Sequence, residues 1–193
     1  MKLDNNYWND RYIENDFGWD VGEISSPLKN YFDQIEDKSI RILIPGAGNA
    51  HEAEYLFKNG FKNVFVLDFA KKPLEEFKTK NPLFNSNQLI CENFFEHKNQ
   101  YDLIIEQTFF CAINPTLRTQ YAKHMHSLLK ENGKLVGLLF NENLNPGNPP
   151  FGGNKTEYLN YFEKLFTLVI FDTCYNSIKP RENKELFIKF VKK

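Results

Sequence analysis

Residues 40–68 carry the most informative pattern in the chain and read IRILIPGAGNAHEAEYLFKNGFKNVFVLD. A first apolar run predicts a strand, and Gly46 and Gly48 predict a tight turn after it. A helix is predicted over 51–58, and a second apolar run ends at Asp68. This order of strand, glycine turn, helix, strand and acid is typical of the first half of a nucleotide-binding α/β sheet.

The same stretch favours an adenosine ligand that carries no phosphate groups. Asp68 lies 20 residues beyond Gly48, the spacing at which a carboxylate bonds both ribose hydroxyls. The third glycine of a dinucleotide motif is replaced by His51, and no Lys-Ser/Thr pair follows to complete a P-loop. S-adenosylmethionine (SAM) therefore fits the pattern better than NAD. A plain tight turn beside a surface acid is the alternative that the motif alone leaves open.

Length, charge and cysteine content restrict the functional classes. The 193 residues suffice for one full-sized domain, which we place over 1–193. The net charge of −1 predicts neither a nucleic-acid partner nor binding to an anionic membrane. Residues 1–5 lack the order of a signal peptide, and no run is long enough to cross a membrane. Three widely spaced cysteines fit no disulfide framework or zinc site, so we expect a cytoplasmic location and no metal. Nothing in the pattern demands a second subunit, so we expect a monomer.

The rest of the chain predicts an α/β fold whose sheet ends in an antiparallel pair. Further strands are predicted over 88–91, 101–106, 134–140, 166–174 and 185–191. Further helices are predicted over 28–35, 71–78 and 156–165, and from Pro115 to a stop at Asn132-Gly133. The 19 phenylalanines indicate an aromatic-rich core.

Two segments outside the sheet are candidates for ligand contact. The arm over 1–36 contains both tryptophans, Trp8 and Trp19, and Tyr12 follows Trp8 at helical spacing. The arm is either pinned onto the domain by its aromatic side chains or folded as a lid over the cofactor, because tryptophan faces attract cations such as a sulfonium. The loop over 141–154 is rich in Gly, Pro and Asn and follows a strand, which favours a role as a substrate loop.

Motifs over nearly the whole chain resemble the thiopurine S-methyltransferase superfamily, and most closely its halide/thiol methyltransferase branch. They are Phe17-Gly18-Trp19-Asp20-Val21-Gly22, Ile44-Pro45-Gly46-Ala47-Gly48, Asn93-Phe94-Phe95, Thr108-Phe109-Phe110-Cys111-Ala112-Ile113, Gly147-Asn148-Pro149-Pro150-Phe151 and Lys179-Pro180-Arg181. The resemblance implies a single-domain, Rossmann-like SAM methyltransferase fold. Its sheet would have seven mostly parallel strands with the last strand antiparallel, and an N-terminal aromatic lid would precede it.

The resemblance also implies a set of cofactor contacts, with S-adenosylhomocysteine (SAH) as the product. The implied cofactor-binding residues are Trp8, Tyr12 and Trp19 from the arm, Gly46 and Gly48 in the turn, Asp68 at the ribose, Asn93 and Phe94 at the adenine, and Gln107 after the fourth strand.

Five positions depart from the family pattern. Asn93 replaces an acid and Ala47 a cysteine. Gln107 stands where the plant halide enzymes have tyrosine and the thiopurine enzymes arginine, and Phe140 and Phe151 replace tyrosines of the plant enzymes. These last changes leave the cofactor prediction intact but put specificity for halide in doubt.

The implied activity is methyl transfer from SAM to a small soft nucleophile such as hydrosulfide, a thiol, a thiopurine-like compound or a halide. Because this step is an in-line displacement, the protein supplies mainly alignment and a dry pocket. The candidate substrate-pocket walls are Trp19, Phe109, Phe110, Cys111, Phe140 and Phe151, and ordinary core packing is the alternative for each of them except Phe151. Arg118 and Arg181 are candidates for neutralising an anionic substrate. The alternative for Arg118 is a salt bridge on the helix surface, and the alternative for Arg181 is solvation in a loop.

The remaining titratable groups have competing interpretations. Glu106 is either a catalytic base for a thiol or a strand-end carboxylate that bonds backbone amides. Cys111 is expected to be a buried, inert thiol. His124 and His126 would face different directions on a helix and form no metal pair. Glu52 is expected to be a solvated residue at a helix start.

Two function classes therefore stay open. The first is a SAM-dependent methyltransferase whose partner is a small-molecule substrate. The second is a SAM or nucleotide-binding domain without methyl-transfer activity. An NAD-type oxidoreductase is a weaker third class.

Overall fold

The computed structural model of the chain describes residues 3–14 and 16–193. Residues 1, 2 and 15 lie outside the described residues. All three belong to the predicted arm, and residues 1 and 2 also lie within 1–5, the segment from which the absence of a signal peptide is predicted. The chain divides into two compact units, one ending at His97 and the other beginning at Lys98. We call them the N-terminal and C-terminal units. The assignment of one domain over 1–193 stays a prediction.

The N-terminal unit contains the predicted strand–turn–helix–strand order. Its helices and strands are α1 (Asn5–Ile13), α2 (Ser26–Phe32), β1 (Arg41–Pro45), α3 (His51–Lys58), β2 (Asn63–Asp68), α4 (Lys71–Lys80) and β3 (Leu89–Cys91). Strand β2 pairs in parallel with both β1 and β3. The helix predicted over 51–58 is confirmed, since α3 has the same bounds. A tight turn precedes it, and Gly60, at φ 85°, follows its end.

The C-terminal unit supplies four further strands, and its last strand runs antiparallel to its neighbours. Its helices and strands are β4 (Tyr101–Gln107), α5 (Arg118–Leu128), β5 (Leu129–Phe140), α6 (Lys155–Phe162), β6 (Phe166–Thr173) and β7 (Glu185–Lys192). Strand β4 pairs in parallel with β5, whereas β7 pairs antiparallel with β5 and with β6. The predicted antiparallel pair is confirmed, and the described strands of the two units number seven, as predicted.

Several predicted helix boundaries are wrong. Helix α2 begins two residues and ends three residues earlier than predicted, and α6 ends three residues earlier. The helix expected between Pro115 and Asn132-Gly133 ends at Leu128, and β5 begins at once with the fully buried Leu129. The Asn-Gly pair belongs to an irregularity early in that strand, where Asn132 adopts a φ of 60°. Helix α6 begins one residue before the expected Thr156, because the side chain of Asn154, not that of Thr156, accepts the amide of Glu157 at 3.0 Å.

The expectation of an aromatic-rich core is confirmed in both units. In the C-terminal unit, Phe190 is fully buried and its ring centroid lies 5.3 Å from those of Phe162 and Phe171. In the N-terminal unit, the Phe77 and Phe84 rings meet edge to face at 5.0 Å. None of the helices in the described part of the chain has the length and apolarity that a membrane crossing requires.

Candidate active site

The glycine turn after β1 and the acid at the end of β2 meet in the N-terminal unit. Gly46, Gly48 and Ala50 have φ values of 59°, 52° and 54°, so the turn alternates through the left-handed region that glycine adopts without strain. The Asp68 carboxylate accepts the amide of Gly48 at 3.3 Å and that of Ala70 at 2.9 Å. These contacts place the predicted ribose-binding acid directly against the predicted cofactor turn.

The Asp68 carboxyl is buried, with 7% of the residue exposed. Burial raises its pKa to about 6, although backbone amides of Ala70, Gly48 and Phe69 favour the charged form. Each carboxylate oxygen has a further lone pair that ribose hydroxyls can use. No Lys or Arg occurs between Gly46 and His51 to meet a phosphate. This arrangement fits a nucleoside without phosphates, as the sequence predicts for SAM.

The aromatic residues of the arm assemble over the glycine turn. A Cβ atom added to Gly48 would lie 3.0 Å from the Tyr12 hydroxyl and 3.7 Å from the indole nitrogen of Trp19. The Trp19 indole hydrogen-bonds Tyr12, and the Trp8 ring meets the Trp19 ring edge to face at 5.5 Å. Both interpretations of the arm require this packing. Coverage of the cofactor by Trp8, Tyr12 and Trp19 stays a prediction.

The carboxylate of Asp20 joins the arm to the glycine turn. Asp20 belongs to the Phe17–Gly22 motif, but the motif alone assigns it no role. Asp20 accepts the Gly22 amide at 2.6 Å and also accepts a hydrogen bond from the Asn49 side-chain amide. Its other close contact is the His51 ring nitrogen Nε2, at 2.8 Å. Burial opposes ionisation of Asp20, but the hydrogen bonds from Asn49, Gly22 and His51 outweigh it and hold the pKa below its ordinary value.

The predicted adenine contacts lie on a short 3-10 turn after β3. The Asn93 side chain accepts the Phe95 amide at 3.1 Å and donates to the Glu96 carboxylate at 3.3 Å. Phe94 is buried beside it. Asn93 thus shapes the turn through its amide oxygen, and an adenine contact by Asn93 or Phe94 stays a prediction.

The expectation that Glu52 is solvated is wrong. Glu52 is 6% exposed, and burial raises the pKa of its carboxyl. Hydrogen bonds from the backbone amides of Glu52 and Ser25 oppose this shift. The carboxylate folds back onto the first turn of α3 because unpaired amides there attract it.

In the C-terminal unit, the carboxylate of Glu106 organises the turn that follows β4. Its Oε1 atom accepts the amides of Phe109 and Phe110 at 2.8 and 2.9 Å, and its Oε2 atom accepts the Tyr121 hydroxyl. Burial raises the pKa of the fully buried carboxyl to about 7, against the hydrogen bonds. Gly137 lies opposite in β5, where any Cβ would collide with the Glu106 backbone oxygen.

Glu106 therefore makes the contacts of the strand-end alternative. Its role as a base is a prediction that these contacts do not test. Gln107, the next residue, has a buried side-chain oxygen without a hydrogen-bond partner among the described residues. Thr108 follows at a φ of 57°. An unsatisfied buried acceptor at the end of a strand is the type of group that a ligand donor satisfies.

The predicted substrate loop, over 141–154, packs onto this turn. The Phe151 amide donates to the Cys111 carbonyl at 2.7 Å, and both side chains are buried. Burial raises the pKa of the Cys111 thiol to about 12, which is the state of the inert thiol that the sequence predicts. Phe110 packs against Tyr121 and Tyr158, so it lies in the core as well as near the turn.

Arg118 contacts the predicted substrate loop. Of the two interpretations of this residue, a salt bridge is present but buried instead of at the surface, and neutralisation of an anionic substrate stays a prediction. The residue is 2% exposed. Its guanidinium donates to the Gly152 and Phe151 carbonyls at 2.8 and 3.4 Å and to the Glu157 carboxylate at 2.7 Å. It also stacks 4.6 Å from the Phe110 ring centroid. The hydrogen-bond partners of Arg118 lie more than 30 residues further along the chain, and no local sequence signal links them to it.

Arg181 is also buried, which rules out the alternative in which a loop leaves it solvated, and its role at an anionic substrate stays a prediction. Its guanidinium lies 5.4 Å from the Phe140 ring centroid and 3.4 Å from the Glu185 carboxylate. Burial raises the pKa of Glu185, and Ser177 and Arg181 oppose that shift. The cation–aromatic contact brings together two of the predicted substrate residues.

Metal-ligating side chains do not cluster in the described residues, since no group of three or more His, Cys, Asp or Glu there could hold an ion. His126 packs 5.6 Å from the Phe166 ring.

Comparisons with known proteins identify the family of the chain. The family described as "Thiopurine S-methyltransferase (TPMT)" matches residues 3–192. The chain is 30% identical over 145 residues to the "Probable thiol methyltransferase 2" of Arabidopsis thaliana, covering 72% of this chain and 64% of that protein. It is 28% identical over 173 residues to the "Thiocyanate methyltransferase 1" of Brassica oleracea, covering 86% and 76%.

Solved structures show the fold. The 1,6-didemethyltoxoflavin-N1-methyltransferase of Burkholderia thailandensis, solved with SAH, superposes with a TM-score of 0.75 at 15% identity and covers 98% of this chain and 87% of its own. The predicted seven-stranded, Rossmann-like methyltransferase fold is confirmed by this likeness. Since the family match spans almost the whole sequence, the chain belongs to the thiopurine S-methyltransferase family, a family of SAM-dependent methyltransferases.

Proposed function

We propose that this chain transfers the methyl group of SAM to a small, soft sulfur nucleophile, namely hydrosulfide or a small thiol. The observation that carries the proposal is the docking of the substrate loop onto the turn after β4 by the Phe151–Cys111 hydrogen bond. This contact brings Phe151 to the turn that bears Phe109, Phe110 and the unsatisfied oxygen of Gln107. Apolar walls of this kind strip water from a soft nucleophile and leave it reactive.

The chemistry needs few groups from the protein. SAM, when bound, supplies an activated methyl group on a good leaving group. The residues of this chain would bind and orient it, with Asp68 accepting the ribose hydroxyls and Gly48 letting the backbone approach closely. Alignment of nucleophile, methyl carbon and leaving sulfur contributes several kcal/mol to the lowering of the barrier. The pKa of Cys111 is raised, which argues against a thiolate nucleophile on the protein.

Sulfur acceptors are favoured over halides and thiopurines for two reasons. A relative named as a probable thiol methyltransferase is 30% identical to the chain. The amide at 107 replaces the arginine of the thiopurine enzymes, and the phenylalanines at 140 and 151 replace the tyrosines of the plant halide enzymes. Arg181, close to Phe140, is the cation that would attract an anionic acceptor such as hydrosulfide. Selenium and tellurium analogues share this chemistry.

An acceptor panel tests the proposal. The purified protein is incubated with SAM and, separately, with hydrosulfide, a small alkyl thiol, a thiopurine, thiocyanate and iodide. SAH formation and volatile methylated products in the headspace are both measured. We expect hydrosulfide or the thiol to give the highest kcat/KM. Binding of SAM without methylation of any acceptor would contradict the proposal and favour the second class, a SAM-binding domain without transfer activity.

Partner and assembly complete the proposal. A small-molecule acceptor is the only partner that the mechanism requires, and the chain acts as a monomer. Sedimentation of the purified protein with and without SAH tests the monomer, which a concentration-dependent dimer would contradict.

A further inference from the structure

We propose that Asp20 is a positioning residue that fastens the aromatic arm to the glycine turn and thereby sets the affinity for SAM. The inference rests on the proposed function and on the lid interpretation of the arm, in which Trp8, Tyr12 and Trp19 cover the cofactor. Asp20 itself makes no predicted contact with SAM. Its effect would reach the cofactor through Trp19, its neighbour in the chain, and through the turn residues that it bonds.

The contacts of one carboxylate carry the inference. Asp20 bonds Gly22 on its own segment, and it bonds the side chains of Asn49 and His51 on the opposite one. Asn49 and His51 flank Ala50, whose left-handed conformation closes the turn and begins α3. The carboxylate therefore bridges the arm and the turn at the point where the turn changes direction.

The bridge also fixes the aromatic lid above Gly48. Trp19 precedes Asp20 by one residue, and its indole hydrogen-bonds the Tyr12 hydroxyl. That hydroxyl lies 3.0 Å from the position of a Cβ on Gly48. A shift of Asp20 relative to His51 must move Trp19 relative to Gly48, because one peptide unit separates the two arm residues. The hydrogen bonds of Asp20 thus determine where the indole stands over the predicted cofactor site.

The arm has other attachments, so Asp20 is not needed to keep it folded. The Asn5 side chain at the start of α1 donates to the carbonyl of Phe69. Tyr12 is buried, and Phe17 stacks on it with a centroid distance of 6.1 Å. None of these contacts uses the side-chain carboxylate of Asp20, whose backbone amide donates to the Phe17 carbonyl at 2.9 Å and would still do so in Asp20→Asn. We therefore expect its loss to loosen the placement of Trp19 and the turn, while the unit stays folded.

The two tryptophans allow a direct test, because Trp8 and Trp19 both lie on the arm. Tryptophan emission, excited selectively over the tyrosines, therefore reports on the arm alone. SAH is titrated into the wild type, Asp20→Asn and Asp10→Asn by calorimetry and by tryptophan emission. Asp10→Asn is the matched control, since Asp10 is exposed on the same arm. We expect Asp20→Asn to weaken SAH binding about tenfold and to shift the emission of the free protein to the red. We expect Asp10→Asn to match the wild type, and the thermal unfolding midpoint of Asp20→Asn to stay within about 2 °C of it.

A second variant keeps the test independent of one substitution. His51→Gln removes the opposite partner, and the double variant with Asp20→Asn should bind SAH no more weakly than the weaker single variant, because both lose the same bridge. Additive losses, an unchanged SAH affinity, or a weakened affinity accompanied by an unfolding midpoint lowered by more than about 2 °C would each overturn the proposal. If SAH binds the wild type without changing tryptophan emission, the arm does not cover the cofactor and the inference falls, while the proposed methyl transfer stands. Failure of the wild type to bind SAH at all would refute the proposed function instead.

Discussion

The hydroxyl of Tyr121 donates a hydrogen bond to the carboxylate of Glu106, which is fully buried at the end of β4. The same carboxylate also accepts two backbone amides of the turn over 107–111. Every one of these bonds stays within the C-terminal unit and defines the shape of that turn. These contacts give Glu106 a positioning role in the turn, and its role as a general base stays a prediction.

Replacing Glu106 by glutamine distinguishes the two roles. The glutamine oxygen keeps both amide hydrogen bonds, and its NH2 group can donate to the Tyr121 oxygen. We expect Glu106→Gln to retain kcat/KM with a thiol within a few-fold and Glu106→Ala to lose at least tenfold, measured by SAH release. A general base contributes roughly a hundredfold or more, so a loss of that size in Glu106→Gln would establish Glu106 as the base.

The ionisation of Glu106 also predicts a pH dependence of stability. Burial raises its pKa from an ordinary 4.5 to about 7 in the folded chain. The folded state then binds more protons than the unfolded state, so this group favours folding below pH 4.5 and loses that contribution as the pH rises to about 7. We expect the free energy of unfolding of the wild type to fall, relative to Glu106→Gln, between these limits. Free energies of unfolding are measured by urea denaturation of both proteins across this pH range. A difference between the two proteins that does not change with pH would contradict the raised pKa of Glu106.

Asp68 predicts a pH dependence of cofactor affinity with the opposite trend. Ribose hydroxyls donate to the ionised carboxylate, and the pKa of Asp68 in the free protein is raised to about 6 by burial. SAH affinity should therefore fall about tenfold for each pH unit below 6, measured by calorimetry. Asp68→Asn should bind weakly at every pH. An affinity for SAH that is independent of pH between 4.5 and 7 in the wild type would contradict a ribose role for Asp68.

Arg118 should stabilise the substrate loop. Arg118→Ala removes donors from the Gly152 carbonyl and from Glu157. We expect a loss of about 2 kcal/mol in the free energy of unfolding, because hydrogen bonds to a charged group are broken in a buried site. The acceptor KM should rise in the same variant, since Phe151 is held through its own carbonyl.

The exposed pair between Lys155 and Asp172 is the control for Arg118. Its nitrogen–oxygen distance of 2.9 Å is similar, but both side chains reach solvent, so Lys155→Ala should cost less than about 1 kcal/mol. Equal losses in Arg118→Ala and Lys155→Ala would show that burial of Arg118 adds nothing.

Local sequence signals predicted the parts of the fold that local physics controls. Helix α3 begins and ends where expected, because glycines able to adopt positive φ bracket an amphipathic segment. The boundary between α5 and β5 was mispredicted for a related reason. Asn132-Gly133 does adopt a turn-like conformation, but it does so inside a strand whose pairing with β4 begins earlier, at Leu129. Tertiary pairing overrode the local stop signal.

The candidate site was predictable where a motif names the residue and unpredictable where long-range contacts define its role. Asp68 and Gly48 meet as their spacing implied. By contrast, the burial of Glu52, Arg118 and Arg181 depends on partners that become neighbours only after folding. Charged residues are usually exposed, so we expected Glu52 to be solvated and kept an exposed alternative open for Arg118 and Arg181. Asp20 was part of a recognised motif, yet its bridge to His51 is visible only in the structure.

Calorimetric titration of the purified chain with SAH, and separately with NAD, tests the central claim most directly. We expect one SAH to bind per chain, with an affinity that Asp68→Asn lowers, and we expect no heat of binding from NAD. Absence of SAH binding, or binding of NAD in its place, would contradict it.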